Sequence, residues 1–378
     1  MSQDRERSDR EREIPSRSCN RYQIPVTLIC TNDSEEAGVA VSTGEGVTIR
    51  DVAARAGVSI ATVSRVLRGN IPVSEPTKER VLTVVSELGY RPSVLGRSLA
   101  EGRHAANGIV FPDLSGPYYA EVVLGYEEAA GELGRSVLIL STHGRDAAPE
   151  MVRELARRVD GMVVLGRTVS DEVVQEIAAR GLPIVLLARS AAGEVDSVNA
   201  ENVASAIRLT EHLIDHGHRT FAVVGGAESS PDTMERWAGV RTALLRAGLT
   251  PPAEPVPAGL REEEGTRVAE DLLVAGVPDA VVCANDELAL GVITGLRAAG
   301  IDVPGQVAVT GWDDVMAARY AGLTTVRQPM RELGVRAARM LDLRIRGDAG
   351  PARHEVLPTN LVVRNSCGRH EPPDLDRR

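Results

Sequence analysis

The stretch covering residues 47–100 constrains the fold of this chain most, because its pattern indicates three short helices with a glycine turn between the first two. Apolar residues recur every three or four positions from 49 to 56 and again from 60 to 67, which predicts two amphipathic helices. Gly57 lies where the first helix must end, since glycine adopts the left-handed cap conformation without steric cost. Such a pair is typical of the motif that lays its second helix in a DNA major groove, although an ordinary helical hairpin remains the alternative.

Capping residues support these boundaries. Thr48 precedes Asp51 by three positions, as in a capping box, and Ser59 is placed to cap the second helix. A third helix is predicted from its cap at Ser74 to its end at Gly89. The three helices together make a minimal DNA-binding domain, predicted over residues 47–91.

The exposed face of the second helix has the chemistry of a DNA contact surface. Residues 47–104 contain nine Lys+Arg against five Asp+Glu, whereas the whole chain has a net charge of −10. Hydroxyl and guanidinium groups suit phosphates and base edges, and small apolar groups suit thymine methyls. The residues predicted to contact DNA on these grounds are Thr48, Ser59, Ile60, Ala61, Thr62, Ser64, Arg65 and Arg68.

The segments TIRDVAARAGVSIATVSRVL, VSEPTKERV, ELGYRP and LGRSLAEGR make the N-terminal region similar to that of the LacI/GalR family of bacterial transcription regulators. The resemblance covers more than fifty residues almost without gaps. It implies a hinge helix and linker over residues 92–104, in which Leu99 matches the leucine that wedges between base pairs of the minor groove. Gly96 departs from the family's usual alanine, so this hinge is expected to be less helical off DNA.

The larger part of the chain, residues 105–368, alternates short apolar strands with amphipathic helices. The predicted strands are GIVFPD, SVLILST, GMVVLG, PIVLLA, FAVVGG, DAVVCAN and VAVTGW. Continuous apolar strands joined by helices predict an α/β fold with parallel sheets covered on both faces, whose ligands bind at the carboxyl ends of the strands. The family resemblance implies two lobes like those of a periplasmic sugar-binding protein: about 105–198 plus 331–348, and about 200–328 plus the end segment.

The same resemblance implies which residues face the cleft between the lobes. Asp113, Ser115, Tyr118 and Tyr119 follow the first strand, where family members place effector-contacting groups. The helix start TMERWAGVR marks Arg236, and the strand ends CANDELALG and TGWDD mark Asn285 and Asp313. An Arg, an Asn and an Asp at strand ends form a set suited to polyols, although each alone is more often a cap or turn residue.

Two departures bear on the effector. Leu260 occupies a place where sugar- and purine-binding relatives often carry an aromatic residue, and Ala188 a place where many carry an aspartate. These departures argue against a typical hexopyranose and leave a smaller, phosphorylated or less polar effector open.

The sequence lacks the motifs that would indicate a membrane protein, an exported protein or a common class of enzyme. No apolar run is long enough to span a bilayer, no hydrophobic signal core is present at the N-terminus, and no dinucleotide, Walker, hydrolase or zinc-protease motif occurs. His212 and His216 have the spacing of a metal pair, but HLIDHGHR resembles a family segment in which the final histidine is structural, so no metal and no cofactor are predicted. A solute-binding protein of the periplasmic type is the alternative, although it would lack the helix-turn-helix.

The sequence therefore predicts a cytoplasmic repressor of transcription that is not an enzyme. The expected partners are double-stranded operator DNA with a pseudo-palindromic sequence, a small sugar-like effector and a second copy of the chain in a homodimer, with no membrane. Residues 1–46 and 369–378 are predicted to be a disordered N-terminal extension and a disordered tail.

Overall fold

A computed structural model describes residues 47–68, 72–90, 104–189, 192–225 and 230–368, and these residues form two compact units that meet in sequence near residue 91. The predictions for the N-terminal extension, for the hinge helix with Leu99 and for the tail lie outside the described residues.

The N-terminal unit consists of α1 (Ile49–Ala56), α2 (Ile60–Arg68) and α3 (Glu75–Glu87). Its small core is built on Val52, Val63 and Val81, each of which is fully buried. Gly57 ends α1 with φ +65°, and the next amide, that of Val58, donates to the carbonyl of Ala53 at 3.1 Å. This is the helix-turn-helix that the sequence predicts, because the apolar spacing and the glycine stop are local signals.

The first lobe of the larger unit is a six-stranded, fully parallel sheet of order β10-β5-β4-β3-β1-β2. Its strands are β1 (Ala106–Phe111), β2 (Ser136–Ser141), β3 (Gly161–Leu165), β4 (Ile184–Leu187), β5 (Asp196–Ala200) and β10 (His354–Leu357). The helices around this sheet are α4 (Pro117–Glu132), α5 (Ala148–Ala156), α6 (Asp171–Ala179) and α12 (Met330–Ile345). The central strands are buried on both faces, as their continuous apolar sequence predicts.

The second lobe contains a parallel three-stranded sheet of order β6-β7-β8 and an antiparallel pair, β9 with β11. The strands are β6 (Phe221–Val224), β7 (Ala280–Cys283), β8 (Ala308–Thr310), β9 (Thr325–Arg327) and β11 (Asn360–Val362). The helices are α7 (Val203–Asp215), α8 (Pro231–Arg246), α9 (Glu262–Ala275), α10 (Asp286–Ala298), α11 (Met316–Ala321) and a 3-10 helix at Asn365–Cys367.

The end of the chain differs from the expectation that it belongs to the second lobe alone. β10 pairs in parallel with β5 and so completes the first sheet, and only β11 and the 3-10 helix join the second lobe. The reason is that HEVL at β10 is a short edge strand in which exposed and half-buried residues alternate, so its sequence gives little signal of which sheet it joins.

One contact repeats in both lobes: two helices pack closely through glycines. A Cβ on Gly125 of α4 would lie 2.0 Å from the carbonyl oxygen of Arg331, at the start of α12. In the second lobe, a Cβ on Gly291 of α10 would lie 2.0 Å from the carbonyl oxygen of Glu262 in α9. These pairs bring the helices that flank each sheet to backbone contact.

Candidate DNA-binding surface and ligand cavity

The outer face of α2 presents the residues that the sequence predicts to contact DNA. Ile60, Ala61 and Arg65 are exposed, and Thr62 and Ser64 are half-buried. Ser59 begins the helix: its Oγ accepts the amide of Thr62 at 3.2 Å. Arg68 closes α2, but its side chain lies outside what the structure describes.

Thr48 is held at the start of α1 by a single carboxylate. Its amide and its hydroxyl both donate to Asp51 Oδ2, at 2.8 and 2.7 Å. These hydrogen bonds lower the pKa of Asp51, so the carboxylate that fixes the helix start stays ionised. An anion at a helix N-terminus also opposes the helix dipole favourably.

A cavity of about 540 Å³ lies between the two lobes of the larger unit. All seven residues that the sequence predicts for the effector site line it: Asp113, Ser115, Tyr118, Tyr119, Arg236, Asn285 and Asp313. Both positions of the family departures, Ala188 and Leu260, line it as well. These residues lie at the carboxyl ends of β1, β4 and β8 and at the starts of α4, α8, α9 and α10, as expected of parallel α/β folds.

Arg236 is the most heavily anchored side chain of the cavity. Its Nε donates to Asn202 Oδ1 at 3.0 Å, and its Nη1 donates to the carbonyl of Ala284 at 2.6 Å. The guanidinium lies over the Trp312 ring, 4.5 Å from the ring centroid, and its Nη2 is 3.9 Å from Asp232 Oδ2. The guanidinium is therefore fixed in orientation before any ligand binds.

Asp313 and Tyr118 bring further polar groups into the cavity. Asp313 accepts one hydrogen bond, 2.6 Å long, from Gln328 Nε2 to its Oδ1. Burial raises the pKa of Asp313 to about 7, although Arg236 and the hydrogen bond from Gln328 oppose that rise. The hydroxyl of Tyr118 is buried and finds no hydrogen-bond partner within the described ranges. Both groups are suited to a hydroxyl-bearing ligand.

Asn285 lines the cavity but is occupied as a helix cap. Its Oδ1 accepts the amide of Leu288 at 3.0 Å, which caps α10, and its Nδ2 donates to the carbonyl of Leu260 at 2.8 Å. Of the predicted Arg–Asn–Asp trio, Asn285 therefore has the least capacity left for a ligand.

Asp113 joins the two lobes across the cavity. Its Oδ2 pairs with Arg261 Nη2 from the second lobe, and its carboxylate also accepts the amide and hydroxyl of Ser115 at 3.1 and 2.9 Å. Burial raises the pKa of Asp113, but the hydrogen bonds from Ser115, Arg261 and Leu114 outweigh it and bring the pKa to about 2. Asp113 therefore remains an anion, and its charge is offset by the opposite lobe.

The cavity is richer in carboxylates than the sequence suggests. Besides Asp113 and Asp313 it is lined by Asp232, Glu262, Glu263, Glu264 and Glu287, against two arginines. Burial raises the pKa of both Asp232 and Glu287. Asp232 lies one helical turn before Arg236, a spacing visible in PDTMER, and Glu287 follows Asn285 by two residues, so local signals for both were present.

Gln328 was missed for a different reason. It follows β9, a strand of three residues that is too short to be recognised from sequence, and it reaches Asp313 only because residues 313 and 327 form a bridge.

Within the described residues, every helix is either too short or too polar to span a membrane.

A helix-turn-helix unit in the same chain as a two-lobed α/β unit with a polar cavity defines a ligand-responsive DNA-binding regulator. Residues 48–93 match the family model described as bacterial regulatory proteins of the lacI family, and residues 210–367 match the periplasmic binding protein-like domain. The chain belongs to the LacI family of bacterial transcription regulators.

Relatives and solved structures of similar length agree with this assignment. The transcriptional regulators DegA of Bacillus subtilis and CelR of Thermobifida fusca are each 34% identical, over 84% of this chain and 97% and 98% of their own lengths. The Lac repressor dimer bound to operator and an anti-inducer superposes with a TM-score of 0.77 at 28% identity, over 86% of this chain and all of that chain. A CelR–cellobiose complex superposes with a TM-score of 0.65 at 32% identity, over 85% and 99%.

Proposed function

We propose that the chain is a repressor that binds a pseudo-palindromic operator as a homodimer. A small sugar-like effector controls its affinity for DNA. The observation that carries the proposal is the presence of an exposed, cap-anchored α2 in the same chain as a polar cavity between two lobes. The Lac repressor is described as an operator-bound dimer, which supports the same assembly here. The chain is proposed to act in the cytoplasm, where operator DNA is found, and to catalyse no reaction.

On DNA, α2 supplies the groups that distinguish bases. Ile60, Ala61 and Arg65 are exposed on this helix. We propose that Ile60 and Ala61 contact thymine methyls and that Arg65 donates to guanine or phosphate. Thr48, Ser59, Thr62, Ser64 and Arg68 position the unit on the backbone. Leu99 is proposed to intercalate in the minor groove, in line with the family resemblance.

The cavity favours an uncharged, hydroxyl-rich effector over a phosphorylated one. Its carboxylates outnumber its arginines, and one of the two arginines is already paired with Asp113. A phosphate would bring about two negative charges next to Asp232, Asp313 and Glu287. By contrast, a sugar hydroxyl can donate to Asp313 and accept from Arg236 or Tyr118. Of the effectors left open by the sequence, the phosphorylated class is thus the least compatible with this cavity.

The DNA-binding role is tested by Arg65→Ala. We expect loss of about 1–3 kcal/mol of discrimination between operator and unrelated DNA, measured by fluorescence anisotropy at fixed salt. Arg80→Ala removes the same charge from the exposed surface of α3 and serves as the control, with selectivity retained. Equal selectivity in the wild type and in Arg65→Ala would rule out base reading by this residue.

The effector role is tested by Arg236→Lys, which keeps the charge but removes the planar guanidinium. We expect operator binding to survive and the response to effector to be lost, as assayed by adding neutral sugars and their phosphates to the preformed complex. A thermal-shift screen of the same compounds identifies the ligand class. Stronger stabilisation by the phosphates than by the neutral sugars would contradict the proposed electrostatics.

A further inference from the structure

The strongest feature that DNA and effector binding leave unexplained is a cluster of histidines and a cysteine in the second lobe. His212 and His216 lie one turn apart at the end of α7, and Cys367 lies in the 3-10 helix near the end of the described chain. One donor atom from each residue falls within 4.8 Å of the other two. None of the three lines the cavity between the lobes.

The geometry of this cluster matches the ligand spacing of a small tetrahedral metal site. The distance from His212 Nε2 to Cys367 Sγ is 3.4 Å, close to the value of about 3.5 Å that follows from Zn–N and Zn–S bonds near 2.0 and 2.3 Å. The ring centroids of His212 and His216 are 4.6 Å apart. All three donor atoms lie within 4.8 Å of one another, against about 3.3–3.5 Å between donors on one tetrahedral zinc ion, so completing the site requires shifts of up to about 1.5 Å.

The surroundings hold Cys367 in place. The carbonyl of Cys367 accepts from His218 Nε2 at 3.0 Å, and its Sγ lies 3.0 Å from Thr324 Oγ1 and 3.5 Å from the carbonyl of Arg364. Ser366 fastens the same segment to β8, donating to the carbonyl of Val309 at 2.6 Å. The cysteine is thus held in position, and the two histidines are half-buried beside it.

We propose that His212, His216 and Cys367 bind a divalent transition-metal ion, with zinc the best match, and with a fourth position open to water. Imidazole nitrogens and a thiolate are the ligands that zinc prefers, and two histidines at i and i+4 of a helix provide them on one face. Binding exchanges the Cys367 thiol proton for the Sγ–metal bond and releases that proton to solvent.

On the sequence alone no metal was predicted for these histidines, because HLIDHGHR resembles a family segment in which the final histidine is structural. Cys367 lies 155 positions from His212 and enters the cluster through the tertiary fold. Metal binding would link the C-terminal segment to α7 within the larger unit. It acts independently of both the operator and the effector.

The test uses the purified full chain, treated with chelator and titrated with Co²⁺. We expect the intense visible absorption of tetrahedral cobalt together with a thiolate-to-cobalt charge-transfer band. Cys367→Ser should remove the charge-transfer band, and His216→Gln should weaken Co²⁺ binding at least tenfold. The matched controls Cys283→Ala and His354→Gln alter a cysteine and a histidine outside the cluster and should leave the spectrum unchanged.

A second readout separates metal binding from folding. Zinc should raise the melting temperature of the wild type and of both controls, but not that of His216→Gln. Absence of a charge-transfer band in the wild type, or its persistence in Cys367→Ser, would overturn the proposal. So would a zinc-induced rise in melting temperature of equal size in His216→Gln.

Discussion

Removing the hydroxyl of Tyr118 should weaken ligand binding without lowering the free energy of unfolding. This hydroxyl is buried against the cavity and has no hydrogen-bond partner among the described residues, whereas the hydroxyl of Tyr126 donates to the carbonyl of Gly108 at 3.1 Å. A buried polar group that lacks a partner costs about 1–3 kcal/mol. Tyr118→Phe should therefore keep or raise the free energy of unfolding while weakening effector binding roughly tenfold.

Tyr126→Phe is the matched control, since it should lower the free energy of unfolding by about 1 kcal/mol and leave effector affinity unchanged. Urea denaturation and calorimetric titration measure the two quantities. A Tyr118→Phe variant that binds effector as tightly as the wild type would show that the hydroxyl does not contact the ligand.

Asp313 makes stability depend on pH. Its pKa of about 7 in the folded chain lies above the unfolded value near 3.9, so the folded state binds more protons between about pH 4 and 7. Stability should therefore fall as pH rises through that window, and Asp313→Asn should flatten the fall. The fall should not vanish in this variant, because burial also raises the pKa of Asp286. Free energies of unfolding in urea at pH 5 and 8 test this, with the exposed carboxylate Asp271→Asn as control.

The close contacts between paired helices exclude any residue larger than glycine at the contact points. Gly291→Ala would place a methyl group 2.0 Å from the carbonyl oxygen of Glu262, so α9 and α10 must separate. We expect a loss of about 1–3 kcal/mol. Gly131→Ala in α4 is the control: a Cβ there meets nothing within 4 Å, and alanine should add about 0.5–1 kcal/mol through helix propensity. Equal effects of the two substitutions on the melting temperature would show that the close packing is not energetically important.

In the larger unit, Asp113 and Arg261 form an ion pair that joins the two lobes across the cavity. The Arg261 side chain is 59% exposed, so the pair should contribute no more than about 1 kcal/mol to closure. We predict that Arg261→Gln weakens effector binding by less than about tenfold, far less than a substitution of Arg236.

A double-mutant cycle isolates this coupling. In an Asp113→Asn background, Arg261→Gln should have little further effect on effector affinity, because its partner charge is already absent. Additive losses in the double variant would mean that the two residues act on the ligand separately rather than on lobe closure.

Local patterns in the amino-acid sequence indicated the helix-turn-helix and the α/β class of the larger unit, and the family resemblance indicated the seven residues that lie around one cavity. The helix-turn-helix and the α/β class rest on local signals: apolar periodicity, glycine stops and capping residues. The three-dimensional fold was needed to show that β10 joins the first sheet, that Gln328 reaches Asp313 and that Cys367 meets His212. Each of these contacts joins residues that are far apart in the chain, and the order of neighbouring residues does not specify which distant segments pair.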